Sequence, residues 1–305
     1  MSRAALVATT ALALIAFAAN SLLCRLALLD GATDAASFTA IRLFSGAIVL
    51  AVLLAIRRER LPASGDRDGR ASRIGGRWRG AVALFAYAAG FSIAYVDVGA
   101  ATGALLLFGA VQATMLLVGL WQGERLAAWQ WLGFALAVLG LLALLLPGAA
   151  APPIMAALWM LGAGVAWGLY SLWGRGSVDP VADTAGNFAR ALPFALALLA
   201  LHVDALTVDA RGVACAVASG AVASGLGYAL WYRVLPRLGA LRAATLQLAV
   251  PPLAAVGGVL LLGETLDATR IGAGAVILGG IAIVLRGRRA PTHAPPHSPI
   301  PEPRP

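Results

Sequence analysis

Charged residues are scarce in this 305-residue chain, where 12% of the residues are charged and 60% are hydrophobic. Soluble domains carry roughly 25% charged residues, so this composition cannot cover an ordinary water-exposed surface. The mean hydropathy of +0.85 leads to the same conclusion. The composition excludes a typical soluble globular protein and predicts that the lipid bilayer surrounds most of the chain.

Lysine is absent, and all 23 basic residues are arginine. A net charge of +9 is a feature of many nucleic-acid-binding proteins. Here, however, most arginines lie in short gaps between apolar runs and do not alternate with aromatic residues as they do in single-strand binders. We therefore expect no nucleic-acid partner.

Cysteine and histidine are also rare. Cys24 and Cys215 both lie inside apolar runs, where small packing residues are common, and they do not have the spacing of metal ligands. His202 is the only histidine before the C-terminal tail, and neither an HExxH nor a GxSxG motif is present. The sequence predicts neither a metal nor a cofactor. A membrane-embedded enzyme and a non-transporting membrane subunit are the alternatives to a transport protein.

Long apolar runs fill the rest of the chain, and each is long enough to cross about 30 Å of hydrocarbon as a helix. We predict an all-α integral membrane protein with about ten transmembrane helices. The predicted spans are about 4–23, 37–56, 80–96, 102–120, 127–146, 153–173, 185–202, 212–232, 240–262 and 269–286. Residues 290–305 include seven prolines and are predicted to form a disordered tail.

The arginines predict the orientation. With the N-terminus in the cytoplasm, 18 arginines fall in cytoplasmic segments and 3 in external ones. Eight of the cytoplasmic arginines lie in the single gap at 57–79. The positive-inside rule therefore predicts a multi-pass protein of the inner (plasma) membrane with both termini in the cytoplasm.

The chain contains an internal repeat. The segment GERLAAWQWLGFALAVLG begins at Gly123, and GETLDATRIGAGAVILGG begins at Gly263. Residues 4–146 and 153–286 are each predicted to hold five spans. Because five is odd, the second copy enters the membrane from the opposite side, which makes an inverted repeat. Alternating access is the function that uses such symmetry.

Three further features carry a family resemblance: the segment AFAANSLLCR, the segment SFTAIRLFSGA around Arg42, and the paired GE-x-L motifs that precede glycine-rich spans. With these, residues 4–286 resemble the EamA-type members of the drug/metabolite transporter superfamily. The resemblance implies ten helices, cytoplasmic termini, and secondary transport, often export, of metabolites, amino acids, nucleosides or toxic compounds. The family often has proline in the fourth span, where this chain has Val111 and Gln112.

Polar side chains inside spans are expensive to expose to lipid, so they are candidates for the path of a small-molecule substrate. We expect a cavity between the halves with walls from spans one, two, four, six, seven and nine. The candidates are Asn20, Arg42, Gln112, Trp167, Tyr170, Asn187, Arg190 and Gln247. Arg42 and Arg190, which match at a spacing of 148, lie five or six residues into their spans, so snorkelling to the interface also explains them. If they line the path, the substrate carries a negative or zwitterionic group.

Two other pairs of residues have structural interpretations. Glu124 and Glu264 fall at helix junctions, where a carboxylate suits the N-terminus of the next span. Pro251 and Pro252 predict a kink in the ninth span, since they remove backbone donors there.

Overall fold

The computed structural model describes residues 1–59, 75–123, 127–145, 151–174 and 177–286. These residues are almost entirely helical. The helices are α1 (Arg3–Leu28), α2 (Ala35–Glu59), α3 (Trp78–Tyr95), α4 (Ala100–Trp121), α5 (Ala128–Leu145), α6 (Ile154–Gly174), α7 (Pro180–Leu201), α8 (Ala210–Val217), α9 (Gly227–Gln247), α10 (Val250–Leu262) and α11 (Ala268–Arg286). The predicted Pro-rich tail at 290–305 lies outside the described residues.

Eight helical segments in the described part of the chain are long and apolar enough to cross a membrane. One of them, Ala210–Leu235, is a continuous span made of α8, a π-helical segment (Ala218–Leu226) and the first part of α9. Helix α3 and the shorter apolar α10 pack into the same bundle. The prediction of an all-α membrane protein with about ten helices is therefore confirmed.

The predicted ninth span, 240–262, is divided between two helices. Helix α9 continues to Gln247, and α10 begins at Val250. Proline lacks the backbone N–H that a helix interior requires, but the first turn of a helix tolerates it. Pro251 and Pro252 therefore belong to the first turn of α10, and the expected kink is a break between helices. With 13 residues, α10 is only about 20 Å long.

Acidic residues serve mainly at helix ends. Aspartate side chains accept a hydrogen bond from the backbone N–H three residues later at the beginnings of α2, α7, α8 and α11, and these aspartates are Asp34, Asp179, Asp209 and Asp267. Each bond satisfies a donor that the first turn of a helix otherwise leaves unpaired. Helix capping thus accounts for the positions of these four aspartates.

Polar contacts at the helix ends define two ends of the bundle. At the end where the described chain begins and finishes, which we call the terminal face, Arg57 pairs with Asp179 at 2.9 Å. At the other end, the distal face, Arg211 pairs with Asp30 at 2.6 Å. The Thr33 hydroxyl of the distal face also donates to the Asp209 carboxylate at 2.7 Å.

The two halves of the chain pack in the same pattern. Helix α2 packs on α7, α4 on α10, and α5 on α11. Helix α6 packs against α3 and α4, and in the same way α1 packs against the α8–α9 span and α10. If each helix of α1–α5 is exchanged for its counterpart in α6–α11, the same pairs of helices are therefore packed together.

Candidate functional site

Arg42, on α2, is the most unusual residue of the bundle interior, because it is charged and only 2% exposed. Its Nη2 donates to the Tyr87 hydroxyl at 2.9 Å and to Ser224 Oγ at 3.4 Å. The guanidinium carbon lies 5.0 Å from the ring centres of both Tyr87 and Phe91. Among the described residues, no carboxylate pairs with Arg42, and its Nη1 has no hydrogen-bond partner.

This environment is costly for a charge. Removing an ion from water costs several kcal/mol even after relaxation, and a cation–π contact returns only about 0.5–2 kcal/mol. A hydrogen bond to a charged group is worth about 1.5–3 kcal/mol, so the unpaired Nη1 forgoes a further contribution of that size. Snorkelling does not explain Arg42, because its side chain is buried and bonded inside the bundle. Because burying the Arg42 charge costs more than its contacts return, Arg42 is a candidate functional residue.

A short polar chain connects Arg42 to the centre of the bundle. The Ser224 hydroxyl, which accepts from Arg42, lies 3.4 Å from Asn20 Oδ1, and the Ser219 hydroxyl donates to the same oxygen at 2.8 Å. Both serines belong to the π-helical segment. A Cβ at Gly220 would overlap the backbone carbonyl of Arg42, so only glycine allows this close approach. Helices with π geometry are rare and occur frequently at functional sites, which fits the location of this nine-residue segment.

Asn20 lines a central cavity of about 20 Å³, room for about one water molecule. The Trp167 ring centre lies 4.8 Å from that of Tyr87 and 5.2 Å from that of Tyr228. Aromatic side chains thus fill the centre. The lining residues are Phe17, Asn20, Ser21, Tyr87, Phe91, Leu107, Phe108, Trp167 and Tyr228. These residues come from α1, α3, α4, α6 and α9, which correspond to the first, third, fourth, sixth and eighth predicted spans. The sequence predicted walls from the second, seventh and ninth spans as well, and it did not predict walls from the third and eighth.

A larger cavity of about 280 Å³, the terminal vestibule, lies at the terminal face. It is lined by Gly76, Arg77, Arg79, Gly80, Tyr170, Trp173, Gly174, Ser177, Pro180, Asp183, Thr184, Asn187 and Tyr232. Two predicted path residues meet here, since Asn187 Nδ2 lies 3.5 Å from the Tyr170 hydroxyl. Trp167 stacks on Tyr170 with 5.4 Å between ring centres. That stacked pair lies between the terminal vestibule and the central cavity.

Arg190 has a different role from Arg42. Its Nη1 donates to the backbone carbonyls of Gly75 at 2.6 Å and Gly186 at 3.0 Å. Next to it, the Gly76 N–H donates to Asp183 at 2.7 Å. Arg190 therefore fastens the segment before α3 onto α7. It lines neither the central cavity nor the terminal vestibule, which favours a structural role.

A third cavity, the distal vestibule, has about 390 Å³ and lies at the distal face. Beside it, Glu264 accepts from the Ala100 N–H at 2.7 Å and lies 3.9 Å from Arg25 Nε. Arg25 Nη1 donates to the carbonyls of Tyr95 and Val96 at 2.9 and 2.6 Å. Glu264 thus lies at a helix junction, but it caps α4 instead of the following α11 that the sequence predicted. Its repeat partner, Glu124, lies outside the described residues.

Two predicted path residues are elsewhere. Gln112 lines a separate, mostly apolar cavity between α4, α5 and α11, and its Nε2 has no hydrogen-bond partner within the described chain. Gln247 is the half-buried last residue of α9 and lines none of the cavities above. The structure therefore brings Asn20, Arg42 and Trp167 together, places Tyr170 and Asn187 beside them, and separates Gln112, Arg190 and Gln247.

Sequence reasoning missed three polar residues of the central site. Tyr87 contacts Arg42, and Ser219 and Ser224 bind Asn20. A signal was present, because the apolar run of the eighth span contains two Ser-Gly pairs within SGAVASG, beginning at Ser219. Closely spaced small residues of this kind permit close helix approach and local hydrogen bonding.

Comparison with known proteins agrees with this architecture. A protein of known crystal structure matches with a TM-score of 0.58 and 20% identity, covering 92% of this chain and 96% of that chain, which shows the shared fold. An uncharacterized protein of Pseudomonas aeruginosa is 59% identical over 279 residues, covering 92% of this chain and 94% of the relative. The family description "EamA-like transporter family" matches residues 154–286, which contain α6 to α11. The bundle, its central cavity and these matches together show that this chain is a multi-pass membrane protein of the EamA-like transporter family.

Proposed function

We propose that the protein is a secondary transporter that moves a small metabolite, amino acid or toxic compound out of the cell by alternating access. The proposal is carried by one observation: two vestibules lie at opposite ends of the bundle, and aromatic side chains fill the centre between them. A channel requires a continuous path for its ion or solute. A carrier requires a central site that opens to one end at a time, which is the arrangement that this centre favours.

The relation between the halves supports this mechanism. If residues 4–146 and 153–286 are five-helix repeats, their odd helix number gives them opposite orientations in the membrane. The pairs of packed helices are reproduced when the halves are exchanged. Such symmetry provides two near-equivalent arrangements, one open to each vestibule, with the substrate bound between the halves.

The distribution of arginine supports a cytoplasmic terminal face, and the absence of lysine supports transport that does not use ATP. We assign the terminal face to the cytoplasm, because the arginines concentrate there. The three arginines of the distal segments each lie within 4.0 Å of a carboxylate, and these pairs are Arg25–Glu264, Arg211–Asp30 and Arg270–Asp267. Their charge is thereby compensated, which increases the difference between the faces. The sequence has no lysine and hence no Walker A motif, which supports transport that does not use ATP.

Transport is tested with purified full-length protein in liposomes. We expect flux down a gradient for at least one member of a panel of amino acids, organic acids, nucleosides and cationic toxic compounds. Protein-free liposomes are the control. Absence of flux for the whole panel in both directions contradicts the proposal.

Alternating access is tested separately by cysteine labelling. After Cys24→Ala and Cys215→Ala, a cysteine is placed at Thr184, which lines the terminal vestibule, or at Thr102, which lines the distal vestibule. Both threonines are buried, so labelling by a membrane-impermeant maleimide requires opening. A transported substrate should change the two labelling rates in opposite directions. Parallel changes would rule out alternation.

A further inference from the structure

Building on the proposed transport function, we infer that Arg42 is the group that binds the substrate, and that the substrate is a small organic carboxylate, free or zwitterionic, with an apolar or aromatic body. The carboxylate takes the unpartnered side of the guanidinium, next to Asn20. The body lies against the aromatic residues of the central cavity. The inference names the chemical class of substrate, which the transport proposal by itself leaves open.

The hydrogen-bonding state of Arg42 is the first argument. A guanidinium carries five N–H donors in a planar fork that matches the two oxygens of a carboxylate. Nη2 is engaged by two neutral hydroxyls, and Nη1 has no partner in the described part of the chain. The protein thus supplies neutral contacts that hold the fork in place and leaves one nitrogen available for an anion.

Charge matching is the second argument. In a site shielded from water, a single buried cation is best compensated by a single negative charge. None of the carboxylates in the described residues supplies it. A carboxylate substrate supplies one charge, whereas a phosphate ester carries more charge than this one guanidinium compensates. A cationic substrate would be repelled.

The walls of the cavity indicate the rest of the molecule. Tyr87 and Phe91 face the guanidinium and also line the central cavity, so a group bound to Arg42 is adjacent to that cavity. Trp167 and Tyr228 complete an aromatic surface on which an apolar or planar body can stack. Because the cavity holds only about 20 Å³ here, binding requires that these rings separate, which couples occupancy to opening of the centre.

Arg42 differs from an arginine that serves structure alone. Arg190 donates to two backbone carbonyls and is half-buried on α7. Arg42 donates to no carbonyl in the described residues and is almost completely buried. A neutral side chain would fill the same space without the cost of a buried charge, so the charge itself requires a functional explanation.

The test compares carboxylates with amides that have the same body. The probes are phenylacetate and phenylacetamide, nicotinate and nicotinamide, N-acetylphenylalanine and its amide, and phenyl phosphate. Binding to the full-length protein in detergent is followed as a thermal shift, and flux is measured in liposomes. We expect at least one carboxylate to bind about tenfold or more tightly than its amide, since a hydrogen bond to a charged group is lost in the amide.

Variants localise the effect. Arg42→Gln should abolish the preference for carboxylate over amide, and Arg42→Lys should restore part of it, because lysine keeps the charge but loses the planar fork. Arg57→Gln, on the same helix but exposed at the terminal face, is the matched control and should keep the preference. The wild-type comparison of carboxylate with amide remains decisive if Arg42→Gln does not fold.

The outcomes separate this inference from transport itself. If the wild type transports neutral or cationic compounds and no carboxylate binds better than its amide, transport stands and the inference is overturned. Preference for phenyl phosphate over every carboxylate also overturns it. If carboxylates bind through Arg42 but no compound is transported, the substrate-class inference survives as a binding site, and the transport proposal fails.

Discussion

Arg42 and Asn187 occupy the same position in the two halves but serve different purposes. Each is the eighth residue after the aspartate that caps its helix, Asp34 for α2 and Asp179 for α7. The sequence spacing instead pairs Arg42 with Arg190, which lies about one turn further along α7. Counted from the caps, a charged residue in the first half therefore corresponds to a neutral amide in the second.

Arg42 and Asn187 differ in their surroundings as well as in their charge. Arg42 lies among aromatic rings and hydroxyls, with one nitrogen that has no partner among the described residues. Both ends of the Asn187 amide are engaged, since its Oδ1 accepts from the Arg77 N–H at 2.8 Å and its Nδ2 donates to the Tyr170 hydroxyl at 3.5 Å. Among the described residues, the first half thus carries a buried charge, Arg42, where the position counted from the cap in the second half carries a neutral amide. In the proposed mechanism both access states would share that one charge.

The largest expected effect comes from removing the charge. Arg42→Gln should reduce transport on the order of 100-fold, the equivalent of one charge-assisted hydrogen bond, about 3 kcal/mol. The melting temperature should stay the same or rise, because a buried charge without a carboxylate partner is removed. Arg190→Gln should lower the melting temperature, because the Gly75 carbonyl loses its side-chain donor and the segment before α3 is no longer fastened to α7. Equal losses of stability in both variants would show that Arg42 is structural.

A second variant moves Arg42 without changing it. In Gly220→Ala the new methyl group would overlap the Arg42 carbonyl, so the π-helical segment must shift away from α2. We expect carboxylate binding to weaken about tenfold and stability to fall by about 1–3 kcal/mol. Gly162→Ala is the control, because a Cβ there has no atom within 4 Å. Unchanged carboxylate preference in Gly220→Ala would separate the π-helical segment from the site.

The packing around Asn187 is tested with a substitution at Gly76. This glycine has a φ of +85°, and a Cβ would lie 2.7 Å from the Asn187 backbone nitrogen. Gly123 has a φ of +90° but has no atom within 4 Å of a Cβ. We expect Gly123→Ala to cost about 1–2 kcal/mol from backbone strain, and Gly76→Ala to cost about 1–3 kcal/mol more from the clash. Equal melting temperatures would mean that the segment before α3 does not dock on α7.

The smallest expected effect concerns pH and the capping residue of α2. Partial burial acts to raise the pKa of Asp34, but hydrogen bonds from Ser37 and from the Thr207 backbone outweigh it and hold the pKa below its ordinary value. The ionised Asp34 carboxylate therefore contributes stability above about pH 4, the pKa of an unfolded aspartate, and this contribution is lost as the pH falls through the folded-state pKa. Thermal melts from about pH 6 to about pH 3 should show less acid sensitivity in Asp34→Asn. Identical slopes for the two proteins would contradict this role.

Several parts of the site could be predicted because they depend on local cost. Asn20, Arg42, Trp167, Tyr170 and Asn187 are polar or aromatic residues inside apolar runs, and all lie in or beside the cavities between the halves. The same rule selected Gln112 and Gln247, which lie elsewhere. The energetic argument identifies residues that need a polar partner, but it does not identify which partner they find.

The amino-acid sequence alone determined that the chain is a helical membrane protein, because the length and apolarity of each run are local properties that the bilayer selects. It also indicated the family through the repeated GE-x-L motifs and two segments of the first half, AFAANSLLCR and SFTAIRLFSGA. Only the tertiary structure decided that α9 continues to Gln247 and that Tyr87 and Ser224 hold Arg42 beside Asn20. The physical reason concerns the rotation of each helix about its own axis. A helix that is apolar on all sides carries little information about which face turns inward, so packing against neighbouring helices decides that face.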